Sequence, residues 1–314
     1  MILVFASLLP VFIVIAVGFG LRKSGLVPAE HWRGVELISY WVLIPALLIT
    51  VLADAVLEIG QATAFAATVL LTASIVSVAM WLARRPLRHF MGVEGPAFTS
   101  LFQTTTRWHG FIALAVASRL FGDPGLALLA LAFAVLVPLL NTSSILVLAA
   151  YAGDVPAPLD RILKSLVRNP IMWGLIIGLG LRFSGLGLPE VVKTTLDLAG
   201  DGALGVSLLA LGAGLSWRAV RRTGREVVLG TFVKLIVTPL IAIALAVAIG
   251  LTGMDFVIVV LASAVPTAVN GYVLAREMGG DTELYAATLT AQVLASFVTL
   301  PLFLAWAMQF TGLA

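Results

Sequence analysis

With 314 residues, 61% of them hydrophobic and 11% charged, and a mean hydropathy of +1.09, the chain lies far from the roughly 25% charged content of soluble domains. This composition excludes a soluble enzyme or a nucleic-acid-binding domain and points to a polytopic protein of the lipid bilayer, with room for about ten spans of about 20 residues. The net charge of +3 needs no acidic partner, because basic loops that set topology account for it, and the absence of cysteine rules out disulfides, thiolate nucleophiles and sulfur metal ligands.

The first apolar run, residues 2–21, is followed rather than preceded by its basic residues, Arg22 and Lys23. A signal peptide has the opposite order, so this reads as a retained helix with its N-terminus outside. Further runs fall at 34–53, 61–83, 97–121, 126–151, 170–187, 191–217, 226–250, 255–275 and 283–310, which makes an all-α chain of ten spans. Alternate loops gather the charge. One set holds Arg22, Lys23, Arg33, Arg84, Arg85, Arg88, Arg161, Lys164, Arg168, Arg218, Arg221, Arg222, Arg225 and Arg276, fourteen of the nineteen basic residues. The other set holds Asp54, Glu58, the turn at 122–125 and Asp255, with Arg182 and Lys193 as exceptions. The basic side is the cytoplasmic one, so both termini are expected outside a cytoplasmic membrane.

The sequence also carries traces of an internal repeat. Residues 18–26 (Gly-Phe-Gly-Leu-Arg-Lys-Ser-Gly-Leu) end span one, and residues 178–186 (Gly-Leu-Gly-Leu-Arg-Phe-Ser-Gly-Leu) end span six, a shift of 160. At a shift of 161, His109-Gly110-Phe111-Ile112 in span four matches Asn270-Gly271-Tyr272-Val273 in span nine. The halves are thus 1–151 and 152–314, each with five spans, and an odd number makes the repeat inverted.

Spans four and nine both carry break signals. Residues 103–110 read Gln-Thr-Thr-Thr-Arg-Trp-His-Gly inside an apolar run, and such a stretch survives in a membrane only where protein or a water-filled cavity surrounds it. Residues 266–271 combine Pro266 with Gly271, which should unwind or kink span nine. Two half-helix N-termini would suit an anion such as a carboxylate, with Arg107, His109, Gly110, Asn270, Gly271 and Tyr272 as candidate contacts. Thr105 and Thr106 either line that site or bond back to their own helix. For Arg107 two readings are open: attraction of an anionic substrate, or an internal ion pair with Asp197, Asp201 or Glu36.

Asp197 and Asp201 share a helix face and either relay protons or are solvated at the outer end of span seven. Asn141, Ser143 and Gln292 could line a sodium site or simply pack helices together. Lys234 either snorkels or pairs structurally. No metalloprotease, serine-hydrolase or nucleotide-binding motif is present, so no enzyme activity, metal or cofactor is expected.

Several short motifs, in order along nearly the whole chain, carry a family resemblance. They are Leu43-Ile44-Pro45-Ala46-Leu47-Leu48, Asn169-Pro170, Leu211-Gly212-Ala213-Gly214-Leu215, Lys234-Leu235-Ile236-Val237-Thr238-Pro239, residues 266–277 and Thr299-Leu300-Pro301. Together they resemble the auxin efflux carrier family, which includes bacterial dicarboxylate carriers and plant auxin exporters. The resemblance implies a bacterial inner-membrane carrier in which spans four and nine cross, as in bile-acid symporters. It further implies a scaffold of spans one, two, six and seven, a moving bundle of spans three to five and eight to ten, elevator-type alternating access and a homodimer. Asn270 matches a crossover position, and His109 stands where bacterial members carry asparagine, which leaves proton or sodium coupling open. The expected function is a secondary transporter of small organic anions, carboxylates in particular. A sodium-coupled symporter of bile-acid type, an intramembrane enzyme and a passive channel are the alternatives.

Overall fold

The computed structural model describes residues 2–55, 59–152, 159–216 and 224–313, and among them every regular element is a helix. Arg218, Arg221, Arg222 and Glu58, placed on loops by the sequence, lie outside the described residues.

Among the described residues, seven stretches are long and apolar enough to cross a bilayer: Phe5–Lys23, Ala29–Ala53, Gly60–Leu82, Gly95–Tyr151, Glu190–Gly214, Arg225–Ile249 and Thr282–Phe310. Two shorter apolar helices, Pro170–Ser184 and Gly253–Ala264, accompany them. Within the 57-residue stretch Gly95–Tyr151, Gly122 is non-helical at φ 60° and ψ −144°, so a kink divides two helices where the turn at 122–125 is expected, and the stretch is far longer than one crossing of about 20 residues. Span six is a 15-residue helix, and span nine breaks into helices of 12 and 9 residues, each shorter than a full crossing of about 20 residues.

The chain divides into two compact units, and neither is a continuous half of it. The first comprises Met1–Thr63, Gly110–Ala134 and Val167–Gly214; the second comprises Ala64–His109, Val135–Leu166 and Leu215–Ala314.

In the first unit, helices meet through glycines that admit backbone where a side chain would stand. A Cβ on Gly18 would lie 2.0 Å from the Leu209 carbonyl oxygen, and one on Gly212 would lie 1.9 Å from that of Ile15, so Ile2–Lys23 and Ala203–Gly214 touch backbone to backbone. Gly178 plays the same part in Pro170–Ser184, packed on Leu48 and Leu52 of the Ile44–Ala53 helix. Gly18 and Gly178 are the first residues of the two repeat traces. The far ends of the traces match as well. Ser24 Oγ donates to the Leu21 carbonyl and Ser184 Oγ to that of Leu181, both at 3.1 Å, and Gly25 and Gly185 follow at φ 76° and 68°, the left-handed conformation that ends a helix. Ser39 and Ser207 hydroxyls bond at 2.5 Å inside this unit. Lys193, an exception to the charge pattern, forms an ion pair with Asp54.

In the second unit, the chain between Arg225 and Ile249 opens into a π turn at Val233–Val237 just before Pro239. Proline has no N–H to donate, and its ring would collide with the carbonyl four residues earlier, so a wider turn relieves both problems. The Thr238 hydroxyl then donates to the Val233 carbonyl at 2.9 Å. Arg84, on the expected cytoplasmic side, lies over the rings of Phe98 and Tyr151 at 5.2 and 5.4 Å, while its Nη1 donates to the Val93 carbonyl at 3.3 Å. The long Thr282–Phe310 helix is capped by Asp281, whose carboxylate accepts from the Leu284 N–H at 2.9 Å.

Candidate functional site

Two helices of the second unit stop at similar backbone conformations. Gly95–Thr106 ends at Arg107 with φ −66° and ψ 155°, and Gly253–Ala264 ends at Val265 with φ −69° and ψ 150°. Helical structure resumes at Gly110 and at Asn270, so the breaks span residues 107–109 and 265–269. Non-helical backbone inside an apolar protein needs partners for its polar groups. The two breaks supply some of them to each other: the His109 N–H donates to the Pro266 carbonyl at 2.7 Å. The Thr267 hydroxyl reaches the Gln103 carbonyl at 3.4 Å.

Two residues of the Thr282–Phe310 helix complete the arrangement. The Gln292 amide oxygen accepts from the Thr267 N–H at 2.9 Å, and its Nε2 donates to the Thr104 and Gly230 carbonyls at 2.9 and 3.1 Å. The Tyr285 hydroxyl donates to the Ala268 carbonyl at 2.6 Å. Both side chains are fully buried. Arg107 is 5% exposed; its Nε donates to Gln103 Oε1 and its Nη1 to Asn270 Oδ1, each at 3.2 Å. Both acceptors are neutral amide oxygens.

Other candidates fall as follows. Thr105 donates to the Leu101 and Phe102 carbonyls, both at 2.9 Å, and Thr106 to that of Phe102 at 2.8 Å, which is the back-bonded alternative. His109 is 4% exposed, Tyr272 is half-buried and Asn270 is exposed. Gly271 requires a correction: it is not part of the break but lies in the first turn of Asn270–Met278. A Cβ there would stand 2.2 Å from the Tyr285 hydroxyl oxygen, so close packing explains this glycine. Gly110 opens its helix with the Phe133 ring in the same relation, 2.1 Å from a would-be Cβ. Gln292 also needs correction as a sodium-ligand candidate, since its oxygen and its nitrogen are both engaged with backbone. Asn141 and Ser143 are half-buried, with Ser143 donating to the Leu140 carbonyl at 3.3 Å; Asp197 is half-buried and Asp201 exposed.

Gln103, Thr267 and Tyr285 are site residues that sequence reasoning misses. A signal for part of the set is present: Tyr285, Thr288, Gln292 and Ser296 recur at helical spacing, forming a polar stripe on an apolar helix, and all four are buried.

Comparison with known proteins matches residues 156–304 to a family described as membrane transport protein. The chain is similar to membrane transporters, auxin efflux carriers among them. An uncharacterized transporter of Methanothermobacter thermautotrophicus is 26% identical over 300 residues, covering 94% of this chain and 96% of that one. The uncharacterized transporter YfdV of Escherichia coli K12 is 27% identical over 205 residues, 62% of this chain and 63% of its own. Auxin efflux carrier component 8 of Arabidopsis thaliana is 28% identical over 149 residues, 46% of this chain and 40% of that protein. These relatives are transporters and carriers rather than enzymes.

Proposed function

We propose that this transporter is a secondary carrier of small organic anions, carboxylates in particular, and that it works by elevator-type alternating access. The observation that carries the reading is Arg107, a buried guanidinium placed at a helix break and held by two neutral amides. An arginine at membrane depth costs about 2.5–3.5 kcal/mol on insertion scales, and an anionic solute beside it offsets part of that cost. Asn270 and Gly110 each start a helix, and the free N–H groups of a helix start favour negative charge. His109, Gly110, Asn270, Gly271 and Tyr272 complete the proposed substrate region with Arg107.

In this reading the chain has ten spans in two inverted halves, with both termini outside the bacterial cytoplasmic membrane, and pairs as a homodimer. Support for the repeat comes from Gly18 and Gly178, equivalent in sequence and both used for close helix packing in the first unit. The division into two compact units supports an elevator. Purified protein should be stabilised against heat by one or more of malonate, malate and indole-acetate, and not by the corresponding carboxamides. At a hundredfold excess over Kd the gain is about 2.7 kcal/mol. Equal stabilisation by acid and amide, or by neither, would overturn the reading.

A further inference from the structure

The described buried residues of this protein include Arg107, His109 and Lys234 and no aspartate or glutamate. Lys234 takes part in neither the Arg88–Glu94 nor the Lys193–Asp54 ion pair. Lys234 is therefore of special interest. It lies in the π turn before Pro239, is 2% exposed, and forms no hydrogen bond or ion pair among the described residues. It lines a cavity of about 30 Å³ within the second unit, together with Thr72, Thr106, Trp108, Thr238 and Ser263. That volume takes about two water-sized groups.

The polar lining is unspent in one direction. Thr72, Thr106, Thr238 and Ser263 donate to carbonyls of their own chain segments at 2.8, 2.8, 2.9 and 2.9 Å. A hydroxyl hydrogen rotates to suit its surroundings, and these carbonyls belong to helical segments, so the hydroxyls can turn towards a stronger acceptor in the cavity. An ammonium buried without a counter-charge is among the costliest arrangements in a protein interior, and an anion beside it is the direct remedy.

We propose that the cavity beside Lys234 is a binding site for one small anionic group, of carboxylate or halide size, with Lys234 as its counter-charge. The group arrives either as the carboxylate of a transported solute or as a free inorganic anion. The volume fits a carboxylate head or a chloride ion and not a whole organic acid. The proposal extends the organic-anion reading by giving it a charge-reading residue besides Arg107, and the first of its two sources rests on that reading.

The test is thermal stabilisation of the purified protein in a methanesulfonate buffer, titrated separately with formate, chloride and neutral formamide. Wild type should show a saturable shift with formate, chloride or both, and none with formamide. In Lys234→Met the anion-free melting temperature should stay level or rise, because a buried charge is removed, while the anion affinity falls at least about tenfold. Lys234→Arg should keep the response. A response to formate alone identifies the carboxylate source, and one to chloride alone the inorganic source. An unchanged affinity in Lys234→Met, or no wild-type response to either anion, would overturn the proposal. Should Lys234→Met fail to fold, bromide-soaked wild-type crystals decide instead: an anomalous peak beside Lys234 supports the site, and none refutes it. If malonate, malate or indole-acetate stabilises wild type and Lys234→Met alike, the site falls and the organic-anion reading stands. If chloride binds at Lys234 while no organic acid binds anywhere, the reverse holds.

Discussion

Arg107 and Asn270, 163 residues apart in the chain, are joined by a 3.2 Å bond from Nη1 to Oδ1 that ties the break of one helix to the start of another. The acceptor is a neutral amide oxygen, and the bond orients the guanidinium. Asn270→Ala should destabilise the protein by about 1.5–3 kcal/mol, the range for a bond to a charged donor, read from thermal or denaturant unfolding in detergent. Asn270→Asp should fold at least as well as wild type and yet lose carboxylate affinity, since a built-in carboxylate then satisfies Arg107. Undiminished carboxylate binding in Asn270→Asp would remove Arg107 from charge recognition.

Gln292 makes the larger structural contribution at the breaks. Gln292→Leu leaves the Thr267 N–H without its acceptor in a buried setting, which alone costs about 1–3 kcal/mol. The Thr104 and Gly230 carbonyls lose a donor as well. A melting temperature within a degree of wild type would show that the breaks do not depend on this clamp.

Close packing at Gly271 gives a paired steric test. Gly271→Ala places a methyl group 2.2 Å from the Tyr285 hydroxyl oxygen and should cost about 1–3 kcal/mol as overpacking. Gly20→Ala, in a helix with open space around the added Cβ, should be neutral or gain up to about 1 kcal/mol. Equal effects of the two changes would mean that Gly271 matters for something other than space.

The legible and hidden parts of this site differ for physical reasons. The two breaks could be read because proline and a run of polar residues are conspicuous against an apolar background, and 107–109 and 265–269 are non-helical. The boundaries were less visible: Gln103 to Thr106 stay helical because the three threonines hand their protons to carbonyls of the preceding turn. Gly271 looked like a helix breaker, but its cause is the Tyr285 side chain, which arrives from a helix that sequence order says nothing about. Gln292 looked like an ion ligand for a similar reason. A polar side chain in an apolar helix announces that it has a partner without saying which, and here the partners are backbone groups of Thr104, Gly230 and Thr267. The turn expected at 122–125 is made by one glycine, Gly122, at positive φ.

His109 stands at the start of the helix after the first break, with its N–H on the Pro266 carbonyl. A carrier coupled to protons through this side chain shows uptake that varies with pH. His109→Asn should flatten the pH profile of carboxylate uptake in proteoliposomes while keeping the backbone bond. An unchanged profile would assign the coupling elsewhere.

The most direct measurement is counterflow in proteoliposomes loaded with an unlabelled carboxylate identified by the stabilisation screen. The account predicts that labelled carboxylate outside accumulates transiently above its equilibrium level with wild type, and that Arg107→Gln, though folded, shows no such overshoot. Labelled solute that only equilibrates with wild-type protein, as through an open pore, or an overshoot that survives in Arg107→Gln, would contradict it.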